Sequence, residues 1–252
     1  MINNDQEYVK MSEAESQHWW YKSLHWQCFK RVVSNFTSKN IELLDAGCGT
    51  GGLLSFMKER GYQNLSGIDI SEKAIELCTA KGIQATVSNI LDIDKLYEAD
   101  SVDVVFCNDV IYFLSEEEQV QFLAKLDRIL KKDGIAVINF PSLKAFQGIH
   151  DIVVGIDNRF NTRKVKHLVE QSNFKITRYR FWPFSMSPII FLVRILQKLK
   201  LKLQPNAKIE SDVEVPSPLV NGILHGIVRT ELAILPNYPW GSSALATLKK
   251  KS

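Results

Sequence analysis

The 252-residue sequence predicts an α/β protein built on a doubly wound sheet of seven strands. Three observations lead to this prediction. Short apolar segments alternate with segments of helical periodicity, a glycine-rich turn follows the first apolar segment, and residues 102–107 are apolar on both faces of the predicted strand. A strand of that kind is expected where helices cover both faces of a sheet.

The predicted elements follow one another closely, and local signals mark several of their ends. Gly61 and Gly82 suit the left-handed position after a helix. Ser71 can cap a helix, and Ser115 with Glu118 forms a capping box. The predicted strands are 41–45, 65–70, 84–87, 102–107, 134–140, 174–181 and 243–248. The predicted helices are 13–36, 53–60, 72–81, 115–131, 162–171 and 188–203, with a further apolar segment at 219–235.

The alternation of strands and helices is interrupted after Phe181, where Pro183 and Pro188 occur. The segment that follows is too long for a bare loop, which predicts a helical insertion before the last strand. The predicted organisation is an N-terminal helical cap at 1–40, a cofactor-binding core at 41–183, the insertion at 184–241, and the last core strand with a tail at 242–252.

Composition and charge narrow the class of protein. Hydrophobic residues make up 45% of the chain and charged residues 23%, as in a soluble globular protein. The formal net charge of +3 is small, so no nucleic-acid partner is predicted. The four cysteines are scattered without metal-ligand spacing, which predicts free thiols and no metal site. The polar first residues do not resemble a signal peptide, so a cytoplasmic location is expected.

A motif of one acidic residue and three glycines carries the most information about function. The apolar segment 41–44 ends in Asp45, and Gly47, Gly49 and Gly51 then occur at every second position. Glycine lets a backbone turn sharply and lets a ligand approach it closely, because glycine has no Cβ. A turn of this kind between a strand and a helix binds nucleotide-like ligands in α/β sheets.

The same turn is open to a second interpretation. Gly47, Gly49 and Gly52 also fit the dinucleotide fingerprint Gly-x-Gly-x-x-Gly, and Asp69 follows at the end of the next strand, as a nicotinamide site requires. Asp45 argues against that interpretation, because dehydrogenases usually keep an apolar residue at the last position of the strand. A further alternative is that Asp45 and Asp69 only cap turns.

The motif Asp-x-Gly-x-Gly-x-Gly resembles the first motif of class I S-adenosylmethionine-dependent methyltransferases. The resemblance implies a Rossmann-like sheet with S-adenosylmethionine as cofactor, whose ammonium group Asp45 can hold directly or through water. In the turn at 130–135, the usual Pro-Gly-Gly of the family is replaced by Lys-Asp-Gly. The segments that fit the family's later motifs, in the same order, are 67–71, 88–90, 102–110 and 130–135.

The resemblance also implies roles for residues at the ends of the later strands. Asp69 is placed to accept hydrogen bonds from both ribose hydroxyls. Asn89 stands where the family often has an aspartate near the adenine amine, and its side-chain carbonyl can accept from the same donor. Ile90 or Ile70 can pack on the adenine face, and the backbone carbonyl of Asn108 can accept from the ammonium group.

A second resemblance concerns the segment 18–22, His-Trp-Trp-Tyr-Lys. It is similar to the opening of a bacterial methyltransferase group often associated with surface-glycan, lipid or secondary-metabolite pathways. The chain departs from that group at two places. Leu24 and His25 occupy the positions of two arginines. Asp157 occupies the position of a histidine, and 158–160 occupy that of an Arg-Arg-Tyr triplet. The substrate therefore does not carry over, although a small-molecule acceptor is implied, with an oxygen acceptor favoured.

His150 is the best candidate for a general base, because it follows the fifth strand, at the edge of the sheet where ligands bind. Asp151 could orient it. The alternative is that the pair only forms hydrogen bonds within a loop. His25 and His225 rank behind His150, and the aromatic residues at 19–21 are expected to pack the N-terminal helix rather than to cage a cation.

Residues 188–203 form a predicted helix with two interpretations. Apolar residues share one face, and Arg194, Lys198 and Lys202 lie on the other. Such a helix could contact an anionic membrane surface or a lipid-linked substrate, although weakly. Alternatively, it is a lid that packs its apolar face on the core. The apolar residues are Leu192, Ile195, Leu196, Leu199 and Leu203.

The sequence therefore predicts transfer of a methyl group to a small-molecule acceptor. The acceptor pocket is expected beneath the helix that carries 18–25 and beneath the insertion at 184–240. Three alternatives remain at this point: an enzyme that transfers the aminobutyl chain of S-adenosylmethionine, an NAD(P)-dependent oxidoreductase, and a cofactor-binding protein without activity. The identity of the acceptor and the oligomeric state stay open.

Overall fold

The computed structural model describes residues 5–148, 151, 155–156, 159–203, 215–234 and 238–251. Its strands, in chain order, are β1 (Leu43–Ala46), β2 (Leu65–Asp69), β3 (Ala85–Val87), β4 (Val102–Asn108), β5 (Leu130–Pro141), β6 (Phe174–Trp182) and β7 (Ser243–Lys250). They form one sheet in the order β3-β2-β1-β4-β5-β7-β6. β7 runs antiparallel to both of its neighbours, whereas the other pairs are parallel. The predicted seven-stranded, Rossmann-like sheet is confirmed.

Helices cover both faces of the sheet. In chain order they are α1 (Asp5–Gln17), α2 (Trp19–Asn35), α3 (Gly52–Lys58), α4 (Glu72–Ala80), α5 (Ile93–Leu96), α6 (Glu116–Ile129), α7 (Thr162–Glu170), α8 (Ser187–Leu203) and α9 (Pro218–Ile234). β4 shows why the prediction of a buried strand succeeds. Val105 and Cys107 pack with α6 and α7 on one face, and Val104 and Phe106 pack with α2 and α3 on the other.

The predicted helix ends are confirmed where local chemistry determines them. The Ser71 hydroxyl accepts from the backbone N–H of Ala74 at 3.2 Å. At the start of α6, Ser115 and Glu118 form both hydrogen bonds of the capping box. Gly61 has a φ of +87°, in the left-handed region.

The N-terminal segment differs from the single helix predicted at 13–36. It forms two helices, separated at His18, whose Nδ1 accepts from the backbone N–H of Trp20 at 3.1 Å and caps α2. α1 begins at Asp5 in a polar, acidic stretch without a clear apolar face. Its position depends on contacts with the glycine-rich turn, which local sequence does not report.

The insertion forms two helices, α8 and α9, between β6 and β7. The apolar face of α8 is exposed: Leu192 is 57% exposed and Leu196 56%. This contradicts the interpretation of α8 as a lid that packs that face on the core. A different side of the helix lies on the loop after β5, where the Phe191 ring is 6.2 Å from that of Phe146. Within the described residues, none of the helices is sufficiently long and apolar to cross a membrane.

The topology brings the predicted site residues to one edge of the sheet. β1 lies between β2 and β4, so the carboxyl ends of these three parallel strands are adjacent. Chain connections leave β1 and β4 in opposite directions across the sheet, which opens a crevice between them. Asp45, Asp69 and Asn108 all lie at these strand ends.

Candidate functional site

A cavity of about 540 Å³ lies at this edge of the sheet. Eight of the nine residues predicted to bind the cofactor line it: Asp45, Gly47, Gly49, Asp69, Ile70, Asn89, Ile90 and Asn108. The ninth, Gly51, does not line the cavity. It is the N-cap of α3, and a Cβ at this position would lie 3.0 Å from the Cys78 sulfur. The predicted base, His150, lies outside the described residues.

The glycine loop, residues 47–52, requires glycine for steric reasons at its first position. Gly47 has a φ of +84°, which residues with a side chain rarely adopt. A Cβ there would also collide with the side chain of Val110, which follows β4. The backbone after β1 therefore turns directly against the Val110 side chain.

Asp45 is a buried carboxylate with unmet hydrogen-bonding capacity. Its side chain is 3% exposed, and its Oδ1 has no hydrogen-bond partner in the described part of the protein. Burial and the nearby Glu15 carboxylate raise the pKa of Asp45 well above its ordinary value. A buried carboxylate oxygen without a donor is costly. An ammonium group bound in the cavity would supply both the missing donor and a compensating charge.

Asp69 is held by the backbone. Its Oδ2 accepts from the N–H of Gly49 at 2.9 Å, and its Oδ1 accepts from the N–H of Ser71 at 3.0 Å. Burial raises the pKa of the Asp69 carboxyl, and these hydrogen bonds oppose that rise. Asp69 therefore does cap the turn, as the alternative interpretation predicts, although it also keeps free lone pairs. That interpretation does not account for Asp45. Each Asp69 oxygen keeps a lone pair that can accept from a ligand.

The residues predicted around the adenine lie at the ends of β2 and β3. The Asn89 side-chain carbonyl accepts from the N–H of Leu91 at 2.9 Å and caps a short 3₁₀ helix. Ile70 is half exposed at one side of the cavity, whereas Ile90 is buried. Asn108, at the end of β4, accepts a weak hydrogen bond from the Cys28 thiol.

Glu15 is a site residue that the sequence does not predict. It comes from α1, is 6% exposed, and accepts a short hydrogen bond from the Thr50 hydroxyl. Its Oε2 lies 3.6 Å from the Lys81 ammonium. A Cβ at Gly52 would meet the Glu15 side chain. α1 therefore closes over the glycine loop, although Glu15 stands in an acidic stretch that reads as a solvated surface.

Asp109 is a second site residue that the sequence does not predict, although it directly follows Asn108. It lines the cavity, with a φ of +56°. Its Oδ2 accepts from the Asn139 amide at 2.8 Å, and the Asn139 carbonyl accepts from the Trp182 indole at 3.0 Å. Since an indole only donates, the Asn139 amide must face Asp109. Burial raises the pKa of Asp109 to about 7, against the Asn139 hydrogen bond and the Arg159 charge.

Asp151 forms a buried ion pair with Arg159. The guanidinium donates to both carboxylate oxygens, at 2.6 and 3.0 Å. It also donates to the backbone carbonyls of Ser142 and Ser242, each at 3.0 Å. Arg159 thus joins the loop after β5 to the start of β7. Whether Asp151 also orients His150 stays a prediction, since His150 is not described.

The two segments expected above the pocket do line the cavity. α2 and its N-cap residue, His18, contribute six residues, and α8 contributes four. Trp20 stacks on Trp182 with ring centroids 5.1 Å apart, which confirms the predicted packing role for this tryptophan. Burial lowers the pKa of His25 to about 3, so it is a weak base. The lining residues from these helices are His18, Trp19, Trp20, Tyr21, Leu24, His25, Ile189, Ile190, Val193 and Arg194.

The part of the chain that contains the glycine loop is similar to known methyltransferases. Residues 44–138 match a family model described as a methyltransferase domain. The ubiquinone biosynthesis O-methyltransferase of Rickettsia canadensis is 29% identical over 161 residues, which cover 55% of this chain and 64% of that protein. The corresponding enzyme of Pelagibacter ubique is 32% identical over 126 residues, which cover 44% of this chain and 52% of that protein.

A solved structure of an S-adenosylmethionine-dependent methyltransferase from Archaeoglobus fulgidus superimposes with a TM-score of 0.57. The two chains are 21% identical, and the superposition covers 89% of this chain and 92% of the other. This match shows a similarity of fold. The chain spans less than two thirds of the length of the curated relatives it matches. The domain match covers the glycine loop through β5, and it favours S-adenosylmethionine over a dinucleotide at this loop.

Proposed function

We propose that the chain, which matches a methyltransferase domain over residues 44–138, is a class I S-adenosylmethionine-dependent methyltransferase. It would transfer a methyl group from this cofactor to a small-molecule acceptor, with oxygen as the favoured acceptor atom. The observation that carries the proposal is the buried Asp45 oxygen, for which the described residues supply no donor, in the wall of a cavity that the glycine loop also lines. The O-methyltransferase relatives support an oxygen acceptor.

The residues in the cavity fit the chemistry of this cofactor. Asp45 would accept from the ammonium group, and the backbone carbonyl of Asn108 would accept from the same group. Asp69 would accept from the ribose hydroxyls with its remaining lone pairs. Gly47 and Gly49 would let the backbone approach the methionine and ribose.

The adenine is proposed to lie between β2 and β3. Ile70 and Ile90 offer apolar surface on that side of the cavity. The Asn89 carbonyl, which already accepts from Leu91, has one lone pair left for the adenine amine. Gly51 is left out of the proposed contacts, because it does not line the cavity.

The bound cofactor supplies an activated methyl group, so the chain must orient the acceptor, exclude water and take up a proton. Asp109 is the described residue best suited to the last task. Among the described residues, Asn139 donates to its Oδ2 and leaves Oδ1 open, and a pKa of about 7 suits a base at neutral pH. His150 remains a second candidate. The aromatic and apolar residues of α2 and α8 would exclude water above the acceptor.

The experiment combines binding with product identification. The chain is expected to bind S-adenosylmethionine and S-adenosylhomocysteine in calorimetry, and not NADH. Turnover with candidate acceptors should release S-adenosylhomocysteine. Methylthioadenosine as the sulfur product would instead indicate transfer of the aminobutyl chain. Binding without turnover on any acceptor class would favour the non-catalytic alternative.

Asp45→Asn gives a sharper test of the ammonium site. The substitution keeps the shape of the side chain and removes its charge. Affinity for S-adenosylhomocysteine should fall by about 1.5–3 kcal/mol, the range of hydrogen bonds to charged groups. The melting temperature of the free protein should rise, because the substitution removes a buried charge whose Oδ1 has no donor among the described residues. Unchanged affinity would show that the ammonium group does not lie at Asp45.

A further inference from the structure

Helix α8 presents an apolar stripe to solvent along its whole length. The stripe residues follow one another at intervals of three and four, so they lie on one side of the helix. Ile189 is 58% exposed and Leu203 82%. The stripe consists of Ile189, Leu192, Leu196, Leu199 and Leu203. Exposed apolar surface of this extent marks an interaction site on a protein.

The charge of α8 limits what can cover the stripe. The helix contains Arg194, Lys198, Lys200 and Lys202 and no acidic residue. Lys198 and Lys200 are exposed. In a contact between two copies of α8, neither helix would offer a carboxylate to balance the basic residues of the other. An anionic lipid surface offers an apolar layer and negative charge together.

The stripe is continuous with the candidate site. Ile189 belongs to the stripe and also lines the cavity, together with its neighbours Ile190 and Val193. A helix of 17 residues is about 25 Å long at about 1.5 Å per residue, too short to span a bilayer but suited to lie in its surface. A helix docked in this way would place one wall of the cavity against the lipid.

We propose that α8 docks the protein on an anionic membrane surface through this stripe, and that the acceptor is an amphiphile with an apolar chain that enters the cavity beside α8. The second part rests on the proposed function. The apolar chain would lie along Ile189 and Val193, and the acceptor group would lie near Asp109. A lipid-soluble acceptor would then reach the cavity from the bilayer without crossing water.

The experiment is co-sedimentation of the full chain with vesicles. Binding is expected to vesicles of phosphatidylcholine with three-tenths phosphatidylglycerol, at least about tenfold stronger than to phosphatidylcholine alone and weaker at high salt. Lys198→Glu with Lys200→Glu should abolish this preference. Leu192→Ser, Leu196→Ser and Leu199→Ser together should abolish binding to both vesicles. Since all these side chains are exposed, circular dichroism should show an unchanged fold.

The matched control is Lys132→Glu with Lys166→Glu, which makes the same charge change at exposed sites on β5 and α7. An equal loss in this variant would overturn the assignment to α8, as would the absence of vesicle binding by the unaltered protein. Light scattering tests the alternative that a second copy of the chain covers the stripe. If the unaltered protein is a dimer and the triple serine variant is a monomer, the stripe is a contact between copies and the proposal is overturned.

Calorimetry separates this inference from the proposed function. The vesicle-binding variants should keep their affinity for S-adenosylhomocysteine, because none of the substituted residues lines the cavity. A protein that binds the cofactor and not the vesicles would contradict only the docking. A protein that binds vesicles and not the cofactor would contradict the proposed function and the acceptor class, while the docking would stand.

Discussion

Asp109 shows how a few neighbours set the chemistry of a single carboxyl group. Its φ of +56° turns the chain sharply at the end of β4 and leaves the carboxyl group in the cavity wall. Trp182 fixes the orientation of Asn139, and Asn139 in turn donates to one oxygen of Asp109. Within the described part of the chain, the other oxygen has no such fixed donor and is available to a ligand. Tyr21 and Tyr112 lie close enough for the Asp109 charge to raise their pKa values further.

The stability of the protein should therefore respond to pH through Asp109. Burial raises its folded pKa to about 7, from an ordinary value of 3.8. Because the folded state binds this proton more tightly than the unfolded state, the contribution of Asp109 to stability is complete below about pH 4. It decreases as the pH rises through about 7, and it is constant above that.

Asp109→Asn removes this dependence, because the amide is neutral at every pH. The melting temperatures of the variant and the unaltered protein should be closest at about pH 4, and the difference should increase from there as the pH rises. At pH 8.5 the variant should melt about 4 °C higher or more, since one kcal/mol corresponds to about 2–4 °C for a chain of this size. Glu98→Gln, at an exposed carboxylate, is the control. A constant difference between pH 5 and pH 8.5 would contradict the raised pKa of Asp109.

At the scale of elements, the connection from β1 to α3 depends on Gly47. Gly47→Ala should destabilise the protein by about 1–3 kcal/mol, because the residue must keep a positive φ and avoid Val110. The distorted loop should also bind S-adenosylhomocysteine at least about tenfold more weakly, a loss of about 1.4 kcal/mol. Thermal denaturation and calorimetry measure the two effects.

Gly226→Ala is the matched control for this prediction. Gly226 lies in α9, and a Cβ there would have no neighbour within 4 Å in the described part of the protein. Alanine is the better helix former, so this variant should be neutral or more stable by up to about 1 kcal/mol. If Gly47→Ala behaved in the same way, the loop would not need a glycine at its first position.

The elements that the sequence predicts well are those with local signals. Ser71, Ser115 and Gly61 mark helix ends through hydrogen bonds and backbone angles within a few residues. α1 has no such signal, because its position is determined by the contact of Glu15 with a loop that lies 35 residues further along the chain. Similarly, the donor-free oxygen of Asp45 follows from tertiary packing, so the sequence predicts a carboxylate there but not its unmet hydrogen bond.

At the scale of the whole molecule, the N-terminal helices and the insertion are joined above the cavity. Asn221 of α9 is buried at the junction between α1 and α2. Its amide donates to the carbonyl of Gln17 at 2.6 Å, and its carbonyl accepts from the N–H of Trp19 at 2.7 Å. One side chain thus satisfies the last turn of one helix and the first turn of the next, about 200 residues away in sequence.

Asn221→Ala should therefore loosen both segments together. It removes the partner of the Gln17 carbonyl and of the Trp19 N–H, and the loss of these two part-buried hydrogen bonds should cost about 1–3 kcal/mol. The melting temperature should fall, and hydrogen exchange should increase at residues 5–35 and 218–234 at the same time, while the strands stay protected. Gly222→Ala is the control, because the neighbouring position faces open space. If the two variants exchange alike, apolar packing holds these segments together and Asn221 does not couple them.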